Sequence, residues 1–334
     1  MSEVTVLGID IAKSVFQLHG VDGAGRVRYR RQVRRAQLLQ TLAQLPRCRI
    51  ALEACGGAHH WGRQIGVLGH EVRLIPAQYV KAFVRGQKND RNDAAAICEA
   101  ARQPAMRCVA VKSLEQQQIL ALHRIRVRMV KERTALVNQV RGLLMEFGIV
   151  IPRSLGVLRR RLPEILAGDR LPELLRVALC EQQRRLGQLD GSLASATAQL
   201  SELARRSEPC RALMAHVGVG PLTATAFAAE LGDAQAFKNG RQVAAWLGLV
   251  PRQHSSAGRT LLLSISKRGN PYLRTLLVHG ARAALRTADR REDALSRWSQ
   301  AVQERRGTNR ATIALANKLA RRLWATLRYG AAAP

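Results

Sequence analysis

Between residues 3 and 76 the apolar positions come in short runs of strand length, punctuated by glycine, proline and charge. EVTVLGI at 3–9 and VFQLHGV at 15–21 are rich in Val, Leu and Ile and lie a few residues apart, which predicts adjacent strands. DGAGRVRYRR then reads as a Gly-rich turn at 22–25 and a third strand with arginines at alternate positions. AQLLQTLAQLP predicts a helix stopped by Pro46, CRIALEAC a strand closing on Glu53 before Gly56 and Gly57, HHWGRQIGVLG a helix and HEVRLIP a further strand. The order β-β-β-α-β-α-β predicts a mixed sheet covered by helices.

From Lys112 to Glu146 the period changes to that of a helix: Leu114, Ile119, Leu122, Ile125, Met129, Leu136, Val140, Leu143 and Leu144 return every three or four residues. A second such tract spans 172–206, with Leu174, Leu175, Leu186, Leu189, Leu193, Leu200 and Leu203. With a connector between Pro152 and Pro172, the two predict an antiparallel hairpin, a coiled-coil arm, or a dimerisation element. Beyond Cys210 the pattern predicts helices around one segment rich in glycine and serine. The resulting division is 1–110, 111–208 and 209–330.

Charge narrows the function. Among 334 residues, 54 Lys and Arg face 24 Asp and Glu, a formal net charge of +30 that makes a polyanion the natural partner. Between Arg259 and Arg328 alone, 14 Arg and 2 Lys face only Asp289, Glu292, Asp293 and Glu304. Six cysteines with no short paired spacing suggest neither a zinc cage nor a disulfide scaffold. No leader pattern and no bilayer-length apolar run stand in the sequence, so a soluble, cytoplasmic protein with no membrane partner is expected. Aromatic residues, 4% of the chain, are too few for recognition by base stacking; Trp61, Trp246, Trp298 and Trp324 read as core anchors.

Four acids carry the candidate chemistry. Asp10 interrupts an apolar run at the end of the first strand, and Glu53 ends another strand in the same way. Asp90 and Asp93 in KNDRNDAAAICEAAR stand three apart at a helix start, on one face. Carboxylates that meet repel unless a cation lies between them, and four of them make an oxygen cage for Mg²⁺ or Mn²⁺. The plainer reading makes Asp90 and Asp93 first-turn helix acids and Glu53 an arginine's ion-pair partner.

Two further segments bear on phosphate. HVGVGPLTATAFAAELGD resembles a helix-hairpin-helix element in which Gly218 and Gly220 turn backbone N–H groups toward an anion; a tight turn without ligand is the alternative. GLVPRQHSSAGRTLLLSISKRGNPYLR sets Ser255 and Ser256 near Arg259, Lys267, Arg268 and Arg274, so a serine on a pliable loop could attack phosphorus or merely bind it. His59 and His60 lack the further regularly spaced ligands a zinc site needs.

Taken together, GIDIAKSVFQLHG at 8–20, ALEACGGAHHW at 51–61, KNDRNDAAAICEA at 88–100, VGVGPLTATAFAAELGD at 217–233 and AAWLGLVPRQHSSAGRT with ISKRGNPYLRTLLVHGARA from 244 onward resemble the IS110 family of transposases, specifically its IS1111 group. The resemblance implies a RuvC-like, ribonuclease-H-type α/β domain at the N-terminus whose DEDD tetrad is Asp10, Glu53, Asp90 and Asp93. It also implies a mostly helical C-terminal transposase domain with a catalytic serine, placed at Ser256 with Ser255 the fallback. Ala257 stands where the family usually has glycine, which requires a negative φ there. By similarity, such bacterial enzymes move an insertion sequence through a circular intermediate. They work as homodimers or homotetramers, guided by a structured bridge RNA that pairs with donor and target DNA. The rival functions are a RuvC-like junction endonuclease using activated water, and an arginine-rich architectural protein.

Overall fold

The computed structural model describes residues 4–86 and 89–330, so Glu3 of the expected first strand lies outside the described residues. The chain divides into two compact units, one ending at Glu115 and the other beginning at Gln116.

The first unit runs β1 (Val6–Asp10), β2 (Val15–Val21), β3 (Val27–Arg34), α1 (Leu38–Ala43), β4 (Arg49–Glu53), α2 (Ala58–Val67), β5 (Glu71–Ile75), α3 (Ala77–Val80) and α4 (Asp90–Arg102). The five strands form one sheet in the order β3-β2-β1-β4-β5. β1 pairs antiparallel with β2 and β2 with β3, while β1–β4 and β4–β5 are parallel. This is the mixed, RuvC-like sheet expected from the sequence.

Alternation of side chains along each strand decides what lies on which face. Leu7, Ile9, Ile50 and Leu52 point into one core, shared with Phe16, Leu38, Leu42, Trp61 and Ile65 of the α1–α2 side. Val6 and Ala51 belong to the opposite core, with Ile97, Cys98 and Ala101 of α4. Each fully buried Leu or Ile contributes about 1.5–3 kcal/mol, so a one-residue register slip would be heavily penalised. Counting by twos from Val6 and Ala51, Asp10 and Glu53 fall on the α4 side.

In the second unit, α5 (Leu114–Glu146), which opens at the boundary, is followed by α6 (Leu155–Ala167) and α7 (Glu173–Arg206). Arg126 donates to Thr197 at 2.9 Å, and Arg133 pairs with Asp190 at 3.3 Å; as one partner's number rises the other's falls equally, so α5 and α7 run antiparallel. Leu179, Leu186, Leu193 and Leu200, each buried, recur every seventh residue along the seam. The expected connector at 152–172 is instead largely helix: α6 carries Pro163 inside it and packs Leu158, Leu162 and Leu166 onto Leu136, Val140 and Leu179. Burial of that leucine face outweighs the one N–H that Pro163 lacks. Asp190 also takes Arg159 of α6 at 2.6 Å, joining all three helices.

The remainder comprises α8 (Glu208–Met214), α9 (Pro221–Leu231), α10 (Gly240–Trp246), β6 (Pro251–Ser256), β7 (Arg259–Ile265), α11 (Pro271–Arg286), α12 (Ala294–Arg306) and α13 (Thr308–Tyr329). Their core gathers Phe227, Leu247, Leu273, Leu277, Leu315, Leu319, Leu323 and Trp324, whose indole N–H donates to the Ala234 carbonyl at 2.9 Å. Trp246 and Trp298 pack against the same core, as expected of anchors. Among the described residues no helix is long and apolar enough to cross a membrane.

Candidate metal centre and nucleic-acid surface

Parallel pairing of β1 and β4 runs through Ile9–Leu52, so Asp10 and Glu53 are the next residues of neighbouring strands. α4 arrives over the same face, begun by Asn89, whose side chain accepts from the Asn92 amide at 2.9 Å. That cap sets Asp90 and Asp93 in the first turn. How near α4 comes is decided by Gly8. A Cβ there would run into the Ala94 carbonyl oxygen and stand 2.5 Å from the Cys98 amide and 2.8 Å from its Cβ. Only a residue without a side chain lets the helix sit this low.

As a result Asp10, Asp90 and Asp93 each bring one carboxylate oxygen within 4.8 Å of the other two. Burial pushes the Asp10 carboxyl up to about 6, and the charges of Asp93, Asp90 and Glu53 push the same way, against a hydrogen bond from the Ile11 amide. Glu53 is thus felt by Asp10 but lies outside the close group of three. The donor set consists of carboxylate oxygens alone, which fits a hard divalent cation such as Mg²⁺ or Mn²⁺ and not zinc. Cys55, beside the cluster, has its thiol raised by burial and by the Glu53 and Asp10 charges, which makes it a poor ligand or nucleophile. His59 serves the fold, accepting from the Lys112 amide at 3.2 Å.

In the second unit the serine segment is not a pliable loop but the hairpin β6–β7, with Ser256 paired to Arg259 and Ser255 to Thr260. Ala257 and Gly258 form its two-residue turn at φ +48° and +77°. The negative φ expected for Ala257 is therefore not found, because a two-residue hairpin matches the strand twist only with both central residues left-handed. Ser255 and Ser256 face opposite sides of the ribbon. The Ser255 hydroxyl accepts from Gln253 at 2.8 Å, whereas among the described residues no hydrogen bond holds the Ser256 side chain. Apart from half-buried Ile265 the hairpin is exposed, including Leu261, Leu262 and Leu263.

The expected anion-binding residues divide. Arg259, Lys267 and Arg268 are exposed. Arg274 is half-buried, and its Nη1 donates to the carbonyls of Leu247 at 2.9 Å and Arg268 at 3.1 Å, so it fastens the turn that presents Lys267 and Arg268. Gly218, at φ +86°, and Gly280 of α11 face each other so closely that a Cβ on either would strike the other's carbonyl oxygen. The α8–α9 turn is thereby held by packing against α11. Gly220 precedes Pro221 at the start of α9, and a Cβ there would meet nothing within 4 Å.

On the α1–α2 face of the sheet, opposite the acids, Arg35 and Trp61 escaped the sequence reading as a pair. Arg35 stacks on Trp61 with its guanidinium carbon 5.0 Å from the ring centre, and the buried Trp61 Nε1 has no hydrogen-bond partner. No local pattern distinguishes them from a surface arginine and a core tryptophan.

Comparison with known proteins agrees with this architecture. Residues 7–149 match the DEDD transposase profile of IS110 elements, and residues 210–296 match the profile described as Transposase IS116/IS110/IS902 family. The chain is 49% identical over 324 residues to a Pseudomonas aeruginosa protein named "Probable family 20 transposase", covering 96% of both chains. It is 47% identical over 330 residues to the transposase for insertion sequence element IS1111A of Coxiella burnetii, covering 98% of this chain and 90% of that one. Against the transposase for insertion sequence element IS1328 of Yersinia enterocolitica the identity is 38% over 330 residues, covering 99% and 98%. Similarity of this extent, together with an acidic cluster fit for a divalent ion, establishes that the chain belongs to the IS116/IS110/IS902 family of transposases and is a metal-dependent enzyme of DNA recombination.

Proposed function

We propose that the chain cuts and rejoins DNA strands through a serine-linked intermediate, with Asp10, Glu53, Asp90 and Asp93 holding Mg²⁺ or Mn²⁺ and Ser256 as nucleophile. The observation that carries this reading is the meeting of three carboxylate oxygens within 4.8 Å, in which Asp10 is driven toward its neutral form unless positive charge arrives. When bound, the ion polarises the scissile phosphate. Ser256 Oγ gives up its proton and attacks phosphorus, an O–P bond forms, the bond to the leaving sugar oxygen breaks, and that oxygen takes up a proton, so none is gained or lost overall. The reverse attack by a second strand's hydroxyl rejoins the backbone without ATP. Arg259, Lys267 and Arg268 face the charge that develops, and Gly218, Gly220 and Arg274 support the surface around them.

The wider assignment follows the same lines. Residues 1–110 carry the acids, 111–208 form the arm and 209–330 present the serine. Exposed Leu143, Met145, Phe147, Val150, Leu174 and Val177 around one end of the arm suit subunit contact in a dimer or tetramer. The net charge of +30 suits a bridge RNA as well as donor and target DNA, and a bacterial cytoplasm is the setting.

The test is denaturing electrophoresis of labelled DNA incubated with protein and Mg²⁺. A covalent adduct is expected with the wild type and none with Ser256→Ala. Unchanged cleavage by Ser256→Ala, with no adduct at any stage, identifies a water-using nuclease and sinks the serine mechanism. Retention of strand chemistry in Asp10→Asn removes the acid cluster from the mechanism, and DNA binding with no strand chemistry in the wild type leaves only an anion-binding protein.

A further inference from the structure

The sheet face that carries Asp10 extends beyond the acids, across β2 to the edge strand β3. Side chains alternate along each strand, and register carries one face from strand to strand. Gly8 and Asp10 of β1 stand opposite His19 and Gln17 of β2. Those two stand opposite Arg30 and Gln32 of β3, and Val15 stands opposite Arg34. His19, Gln17, Arg30, Gln32 and Arg34 therefore share the acids' face. Core membership confirms the parity: Val21 lies in the α4 core, whereas Phe16, Leu18 and Val33 lie in the α1–α2 core with Tyr29 packed against it. At about 4.8 Å per strand, Gln32 lies ~10 Å from Asp10, about three nucleotide steps along one strand of a duplex.

This part of the face is open and cationic. Helix α4 packs on β1 and β2. Past it Arg30, Gln32 and Arg34 are exposed, and Gln17 and His19 are half-buried. Asp22, the acid of the β2–β3 turn, is taken by Arg26 at 3.1 Å and Arg28 at 2.9 Å. Among the described residues no carboxylate pairs with Arg30 or Arg34. Burial and then the nearby Arg30 charge hold the His19 imidazole below its ordinary value, so the ring is neutral at pH 7. Two unpaired guanidinium groups, with the Gln17 and Gln32 amides beside them, thus offer hydrogen-bond donors to an anion.

We propose that this face of β2 and β3, with Arg30 and Arg34 as its cations, holds the backbone of the DNA strand that runs into the carboxylate cluster. The choice of DNA rests on the proposed function, in which the acids process its phosphodiester. Charge complementarity and continuity with the acids support it. The acids repel an incoming polyanion, and a cationic strip about one Debye length away offsets that repulsion without occupying the place of the metal. Contacts at Arg30 and Arg34, four residues or ~13 Å apart, fix the line along which the strand approaches.

Arg31 supplies an internal control. It lies between the two on the same exposed strand but stands opposite Leu18, on the α1–α2 face. The test is binding of a labelled DNA duplex to the full-length protein across a salt series, with Ca²⁺ present, for wild type, Arg30→Gln, Arg34→Gln, the double variant and Arg31→Gln. Arg30→Gln and Arg34→Gln should each weaken binding about three- to tenfold and lower the salt slope by about one. The double variant should lose about the product of the two, since the sites are well separated. Arg31→Gln should bind within twofold of wild type with an unchanged slope. Equal losses in all three single variants overturn the proposal, because net charge alone then acts. Wild-type affinity in the double variant also overturns it, leaving the arginines to protect a sheet edge. The same series with an RNA duplex assigns the occupant: losses on RNA without losses on DNA overturn the DNA assignment. These outcomes are read from binding alone, whereas a wild type that binds DNA and performs no strand chemistry with Mg²⁺ overturns the proposed function, a distinct result.

Discussion

Asp10 is the residue whose chemistry most depends on its surroundings. With its carboxyl raised to about 6 from an ordinary 3.8, it stabilises the metal-free fold fully below pH 3.8 and loses that contribution as pH rises through 6. Asp10 is only half-buried, so after solvent screening the loss is on the order of 1–2 kcal/mol. Asp10→Asn should therefore be more stable than wild type in EDTA at pH 7, yet gain nothing from Mg²⁺; urea unfolding with and without metal measures both. His123 behaves in the opposite sense. Buried between Tyr272, at 2.9 Å, and Thr225, at 3.0 Å, it is lowered to about 4, mainly by burial. Its folded value lies below the ordinary 6.5, so stability is full above that value and falls as pH drops toward 4, by at most about 3 kcal/mol. His123→Gln should flatten the melting temperature between pH 7 and 5.

At the scale of elements, the decisive contact is that of α4 on β1. The helix carries two of the clustered acids and the strand the third, and Gly8 sets the spacing between them. Gly8→Ala should push α4 outward, cost about 1–3 kcal/mol as overpacking does, and remove most of the metal-induced rise in melting temperature. Scanning calorimetry with and without Mn²⁺ checks this, and an undiminished metal response would show that Gly8 does not set the cage. The β6–β7 hairpin is the other element that matters. It has no core of its own, and a lone two-stranded ribbon is marginal in water. Its left-handed Ala257–Gly258 turn nonetheless places Ser256 at the end of its strand, next to Arg259 in the pairing.

Across the whole molecule, charge governs encounter with DNA. A net charge of +30 implies many released counterions, so the logarithm of the DNA-binding constant should fall steeply with the logarithm of salt, with a slope of about −5 or steeper for six or more phosphate contacts. Fluorescence anisotropy over a range of salt concentrations measures it, and a slope near −1 would mean that most of the excess charge never meets DNA. Division into two compact units also has a chemical meaning, since the acids lie in one and the serine hairpin in the other. Chemistry that joins them must bring together groups from different folding units.

Much of this was legible along the chain because periodicity is a local property. Alternation in VLGID and RIALE placed Asp10 and Glu53 at corresponding strand ends, and the three- and four-residue returns of α5 and α7 marked the arm before any packing was known. Non-local contacts settled the rest. The stretch between Pro152 and Pro172 read as a connector, yet the leucine face of α6, buried against α5 and α7, makes it helical through Pro163. A serine-rich stretch became a hairpin through pairing across a turn that alanine disfavours. The acids' identities are written in the chain, but their meeting required strand register and the absence of a side chain at Gly8, distances set between elements far apart in sequence. The unsatisfied Trp61 N–H is of the same kind, since an unmet hydrogen bond is a property of the surroundings and not of the residue.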